Sequence, residues 1–137
     1  MGYSDELDEF DPATLVLVVE EDDEERATLC EGLSREGYRV VAVEDGLELF
    51  DYLDLVQATA GRVKMPDVIV SDVELSGCGG VTACRELHHQ HPETPVVLLS
   101  PSLDSRTWVA AERAGAADVL KRPVDLRELR EALALLV

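Results

Sequence analysis

The chain predicts an α/β fold, with one doubly wound, five-stranded parallel sheet carrying helices on both faces. Three observations carry that prediction. Five short apolar runs alternate with five segments in helical period, the pattern of strand–helix units in a parallel sheet. Two of the runs end in acids. Leu15-Val16-Leu17-Val18-Val19 leads into Glu20-Glu21-Asp22-Asp23, and Val68-Ile69-Val70-Ser71 leads into Asp72. A chain of 137 residues builds one real core and is too short for two comfortable ones. Right-handed crossovers bring the carboxyl ends of all five strands to one edge, where open α/β sheets bind ligands.

The elements follow in order. The first strand spans about Leu15 to Val19. The helix after it, Glu24 to Glu36, places Ala27, Leu29, Cys30 and Leu33 on one broad face. Acids near its start suit the helix dipole, and Gly37 ends it as a left-handed cap. The second strand is about Arg39 to Val43, and Asp45-Gly46 turns the chain. A second helix starts near Leu47, with Phe50, Leu53 and Val56 spaced for burial. Its tail, Gln57 to Lys64, is less patterned, and Pro66 stops any continuation. The third strand ends at Asp72, the turn Ser76-Gly77-Cys78-Gly79-Gly80 follows, and the third helix runs from about Val81 to His89. Pro95 opens the fourth strand, Val96 to Leu99, which ends at Ser100. A fourth helix covers about Asp104 to Ala114, with Val109, Ala110 and Ala114 as its packed stripe and Gly115 closing it. The fifth strand is Asp118 to Lys121, and the last helix begins after Pro123. There is no internal repeat and no low-complexity segment.

Composition bounds the function. Hydrophobic residues make up 46% and charged residues 30%, an ordinary globular balance. A net charge of −17 argues against direct contact with nucleic acid or an anionic membrane. Asp5, Glu6, Asp8, Glu9 and Asp11 give residues 1–13 the character of a solvated, disordered acidic tail, with the domain proper over 14–137. Cys30, Cys78 and Cys84 are odd in number and lack paired spacing, which reads as reduced thiols in a cytoplasmic protein. No apolar run approaches about 18 residues, and the N-terminus is acidic, so neither a membrane span nor a signal peptide is expected.

Glu20 to Glu25 are six consecutive acids, and their place after a strand needs a reason. Carboxylates from two strand ends at one edge repel unless a cation holds them. Hard oxygen ligands in that number suit Mg²⁺, which takes one or two carboxylates and keeps several waters. An acidic, magnesium-type pocket around Asp72 is the expectation.

The motifs carry a resemblance as well. An acidic pair follows strand one, an Asp strand three, a Ser strand four, and a cation with Pro strand five. That order resembles the receiver domain of two-component response regulators. Pro66-Asp67-Val68-Ile69-Val70-Ser71-Asp72-Val73-Glu74-Leu75-Ser76-Gly77 is similar to the phosphoacceptor segment of that family. Gly115-Ala116-Ala117-Asp118-Val119-Leu120-Lys121-Arg122-Pro123 resembles its last strand and the following turn. The match covers Leu15 to Val137. It implies a flavodoxin-like fold in which Asp72 accepts a phosphoryl group from a phosphohistidine on a histidine kinase or phosphotransfer protein. Glu21 would ligate Mg²⁺ directly, Glu20 through water, and the backbone carbonyl of Glu74 would complete the protein's share. Ser100 would donate its hydroxyl to the phosphoryl oxygens, and Arg122 would pair with them. The implied protein is a stand-alone receiver that signals by contact, with a downstream protein docking on the face of helix four, strand five and helix five. Trp108 and Val119 fall there, and the face leaves room for a homodimer.

Four positions depart from the family pattern. The acidic pair usually has an Asp at its metal-ligating second position, and here both residues are Glu, one methylene longer. The near-invariant Lys is replaced by Arg122; Lys121 precedes it, but neighbouring strand residues face opposite ways. Arg can hold a phosphate bidentately, yet differs from a compact ammonium. Pro101 stands where a small residue is usual, narrowing the approach to Asp72. Val119 stands where an aromatic switch residue is usual. A phosphorylation-independent, atypical receiver acting as an interaction module is therefore the second reading. A haloacid-dehalogenase-type phosphohydrolase is a remote third. It also uses an Asp and Mg²⁺, but it wants a second catalytic Asp where this chain has Glu74, and usually a cap domain.

Simpler readings cover other residues. Glu24 and Glu25 read as a solvated helix start. Cys84, His88, His89 and His91 resemble a metal cluster but lie at a helix end, where His suits the dipole. Cys78 is a loop thiol with no nearby base in sequence. Trp108 is the only tryptophan, either an exposed anchor for a partner or partly buried against the last helix.

Overall fold

The computed structural model describes residues 13–77 and 79–137. The acidic tail expected over 1–13 falls, but for Ala13, outside the described residues, as does Cys78. Five strands alternate with five helices: β1 (Leu15–Val19), α1 (Asp23–Arg35), β2 (Arg39–Val43), α2 (Gly46–Ala58), β3 (Val68–Asp72), α3 (Gly80–Gln90), β4 (Val96–Ser100), α4 (Ser105–Arg113), β5 (Asp118–Lys121) and α5 (Leu126–Leu136). All pairings are parallel, in the order β2-β1-β3-β4-β5. This is the doubly wound, flavodoxin-like arrangement expected from the sequence.

Alternation along the strands sorts the core into two layers. Leu17, Val19, Ile69 and Leu98 pack with Leu49 and Leu53 of α2, Ala83, Cys84 and Leu87 of α3, Ala111 of α4 and Ala114 that caps it. Val16, Val18, Val70 and Leu99 face the other way, onto Leu29 and Leu33 of α1 and Leu129 and Leu133 of α5. Strands covered on both faces read as unbroken apolar runs, which is why β1, β3 and β4 were plain in the sequence. The foot of β1 is clamped. Leu15 N–H donates to Asp67 Oδ2 at 2.8 Å, and Arg39 N–H to the Thr14 carbonyl at 2.9 Å.

Caps set the helix starts. Asp22 accepts from the N–H groups of Glu24 and Glu25, Asp104 from Thr107, and Asp125 from Arg127 and Glu128. Asp45 caps α2 by accepting from Glu48 N–H, while Glu48 takes the N–H of Glu44 at 2.7 Å, so the expected Asp45-Gly46 turn is the capped start of a helix. Gly37, at φ +94°, follows α1 as the left-handed residue expected there. Gly80 opens α3 against β3; a Cβ would sit 2.0 Å from the Asp72 carbonyl oxygen.

Three expected placements are corrected. Ala27 of α1 is exposed, because the buried face runs through Leu29 and Leu33 with Arg26 and Cys30 beside them. Val109 of α4 is 46% exposed, and Ala111 is buried in its place. Val119, expected on the partner-binding face, is 5% exposed and lies in the core beneath α4. Among the described residues, no helix is long and apolar enough to cross a membrane.

Candidate functional site

Parity decides which side chains meet at the carboxyl edge. Val18, Val70 and Leu120 belong to the α1/α5 layer. Glu20, Asp72 and Arg122 each lie two residues further on and continue that face past the strand ends. Lys121 points the other way and is exposed.

Arg122 gathers the site. Its Nη2 donates to Asp72 Oδ2 at 3.0 Å and to Glu20 Oε1, and its Nη1 donates to Glu25 Oε2 at 2.6 Å. Glu20 is 3% exposed, and the side chains of Arg122 and Asp72 are 15% and 13% exposed. Each acid is also held from behind. Glu20 Oε2 accepts Asp22 N–H at 3.1 Å, and Asp72 Oδ1 accepts Glu74 N–H at 2.8 Å. Burial pushes the Glu20 carboxyl above its ordinary range, against the pull of Asp22 N–H and Arg122. Burial works to lower the Arg122 value, but the charges of Asp72, Glu20 and Glu25 outweigh it and hold the guanidinium protonated. Its Nε is buried without a hydrogen-bond partner.

The remaining residues are placed around this network. Glu21 is exposed and turns to the β3–α3 loop, where Oε2 accepts Ser76 N–H at 2.7 Å. Ser100 is buried at the end of β4, and its hydroxyl donates to the Ser102 carbonyl at 2.7 Å. Arg122 N–H donates to the Ser100 carbonyl at 2.8 Å, which ties the two loops together. Pro101 is exposed and lines a groove with Val73, Glu74, Ser100 and Arg106. Trp108 is 48% exposed on α4. His88 lies over Gly115, where a Cβ would come 2.4 Å from its ring.

Two contributors were missed from the sequence. Glu25 had read as a solvated helix start, yet it is the third acid on Arg122. The available signal was its position in the first turn of α1, directly after the β1 end. Arg26 donates from Nη1 to the carbonyls of Glu20 at 2.8 Å and Glu21 at 3.4 Å, fixing the β1–α1 loop.

The expected Mg²⁺ set does not assemble as a ligand shell. Receiver domains in general bind Mg²⁺ at their acidic pocket. Here Asp72 and Glu20 converge on a guanidinium nitrogen, Glu21 is committed to a loop amide, and no group of three metal-ligating side chains forms among the described residues. The donor set as it stands does not fit the ion.

Residues 16–134 match the model of the response regulator receiver domain. The chain is 33% identical over 114 residues to the C4-dicarboxylate transport transcriptional regulatory protein DctD of Pseudomonas aeruginosa, covering 83% of this chain and 23% of that protein. It is 36% identical over 112 residues to the transcriptional regulatory protein CseB of Streptomyces avermitilis, covering 82% and 44%. It thus spans less than half the length of these relatives. Among solved structures, the signal receiver domain of a signal transduction histidine kinase from Syntrophus aciditrophicus superimposes with TM-score 0.78 at 29% identity, covering 90% of this chain and 89% of that one. The Vibrio cholerae chemotaxis protein CheY4 superimposes with TM-score 0.78 at 24% identity, covering 91% and 99%. With Asp72, Ser100 and Arg122 at or just past the ends of β3, β4 and β5 and a family match spanning nearly the whole chain, this protein belongs to the response regulator receiver domains.

Proposed function

We propose that Asp72 is a phosphoacceptor and that the domain acts as a receiver, passing its signal on by protein contact. The observation that carries this is the placement of the Asp72 carboxylate at the carboxyl edge, between the Glu74 amide and the Arg122 guanidinium. A carboxylate oxygen of Asp72 attacks the phosphorus of a phosphohistidine on a histidine kinase or phosphotransfer protein. The new P–O bond forms as the P–N bond breaks, and the imidazole, protonated by solvent on its other ring nitrogen, leaves as the neutral base. Arg122 offsets charge on the phosphoryl oxygens, and Ser100 turns from Ser102 to donate to them. The domain is not an enzyme in the ordinary sense; its only chemistry is its own phosphorylation and the hydrolysis of the acyl phosphate. The reading places it in the cytoplasm, beside its kinase. Its downstream partner docks on the face of α4, β5 and α5, with Trp108 as the anchor.

Intact mass after incubation with acetyl phosphate tests the assignment. A gain of one phosphoryl group in the wild type, absent in Asp72→Asn, is the expected result. No gain under any ionic condition would favour the second reading, a phosphorylation-independent interaction module. That reading draws on the full occupation of both Asp72 oxygens by protein donors.

A further inference from the structure

We infer that Arg122 is a tethered cation that neutralises the acidic pocket and competes with divalent ions for it. The inference does not rest on Asp72 being a phosphoacceptor.

One departure from the family pattern, Arg in place of Lys, acts at a single contact. Nη2 of Arg122 sits between Glu20 Oε1 and Asp72 Oδ2, two of the carboxylates expected around a metal, Asp72 as a ligand and Glu20 through water. Both acids are largely buried, and two uncompensated carboxylates so enclosed would destabilise the fold. Their other oxygens are fixed by the amides of Asp22 and Glu74, so both groups are aimed at one point and Arg122 fills it. A planar fork suits this task. Its second nitrogen reaches Glu25 at 2.6 Å while the first serves Glu20 and Asp72, a division that the single nitrogen of an ammonium cannot make. The third acid anchors the guanidinium in place. Glu21, the direct ligand expected for a metal, is drawn off to the Ser76 amide.

A divalent ion therefore binds only when Arg122 swings out, and its apparent affinity falls by the fraction of molecules in that open state. Thermal unfolding under MgCl₂, against NaCl of matched ionic strength, reads this directly. Wild type should show little Mg²⁺-specific rise in Tm, whereas Arg122→Gln should bind Mg²⁺ at least about 10-fold more tightly by the same measure. Arg122→Lys, which keeps the charge but loses the fork, should fall between them and serves if Arg122→Gln does not fold. A Mg²⁺-specific stabilisation of wild type as strong as that of the variants overturns the inference. So does a folded Arg122→Gln that ignores Mg²⁺.

Discussion

At the scale of single residues, burial sets the chemistry. Glu20 is kept in the site by an amide and a guanidinium despite the cost of enclosing its charge, and removing either partner would expose that cost. Cys84 shows the same effect, with burial outweighing the pull of the Arg85 charge. It is fully buried with its Sγ 3.6 Å from the Ala114 carbonyl oxygen, and burial pushes its thiol up to about 11. The unfolded chain loses that proton near 9.0. Between these values the folded state holds a proton that the unfolded state has released, so stability falls as pH rises through the window. Below it the thiol has no effect. Urea unfolding of wild type and Cys84→Ala at about pH 8 and about pH 10.5 checks the sign. The advantage of wild type over the variant should shrink at the higher pH, and a constant difference would refute the shift.

At the scale of elements, the fourth helix is the instructive case. Its large apolar residues, Trp108 and Val109, are exposed, while its small ones, Ala111 and Ala114, are buried against β4 and β5. Hydrophobicity points one way and packing the other, because only an alanine surface lets α4 approach the sheet closely. Ala111→Leu should therefore cost about 1–3 kcal/mol by overpacking, and Val109→Ser should stay within about 0.5 kcal/mol of wild type. Chemical denaturation distinguishes this from the phase suggested by the sequence, in which Val109 would be the costly position. The strands were legible because continuous burial leaves continuous apolar runs; of the face expected for α2, Leu53 is buried while Phe50 and Val56 are half-buried, and Leu49 takes the core position instead. The phase of α4 was not legible, since alanine carries too little signal to fix it. The acid, hydroxyl and cation positions of the site were legible from strand ends alone. The three-way grip of Arg122 was not. It spans from β5 past β4 to β3, β1 and the first turn of α1, and sequence distance says nothing about such a reach.

At the scale of the whole molecule, charge is the dominant fact. A net −17 over 137 residues makes the folded chain repel itself, and salt screens that repulsion over a Debye length of about 10 Å at 0.1 M. Tm should thus rise with NaCl in wild type, and a flat or falling response would show that local ion pairs such as Arg130–Glu36 and Arg35–Glu31 outweigh the net charge. The Mg²⁺ experiment needs matched ionic strength for this reason. The clamp at the foot of β1, from Leu15 to Asp67 and from Arg39 to Thr14, also has a practical meaning. Five-residue strands separate that foot from the Asp72 edge by about 17 Å, and α5, with 11 residues and about 16 Å of length, carries the chain back to the same side. Ala13 and Val137 therefore both emerge behind the sheet. A fluorophore or an affinity handle attached at either point would sit away from the mouth around Asp72, so the domain can be immobilised or labelled there while a phosphodonor still approaches from the front.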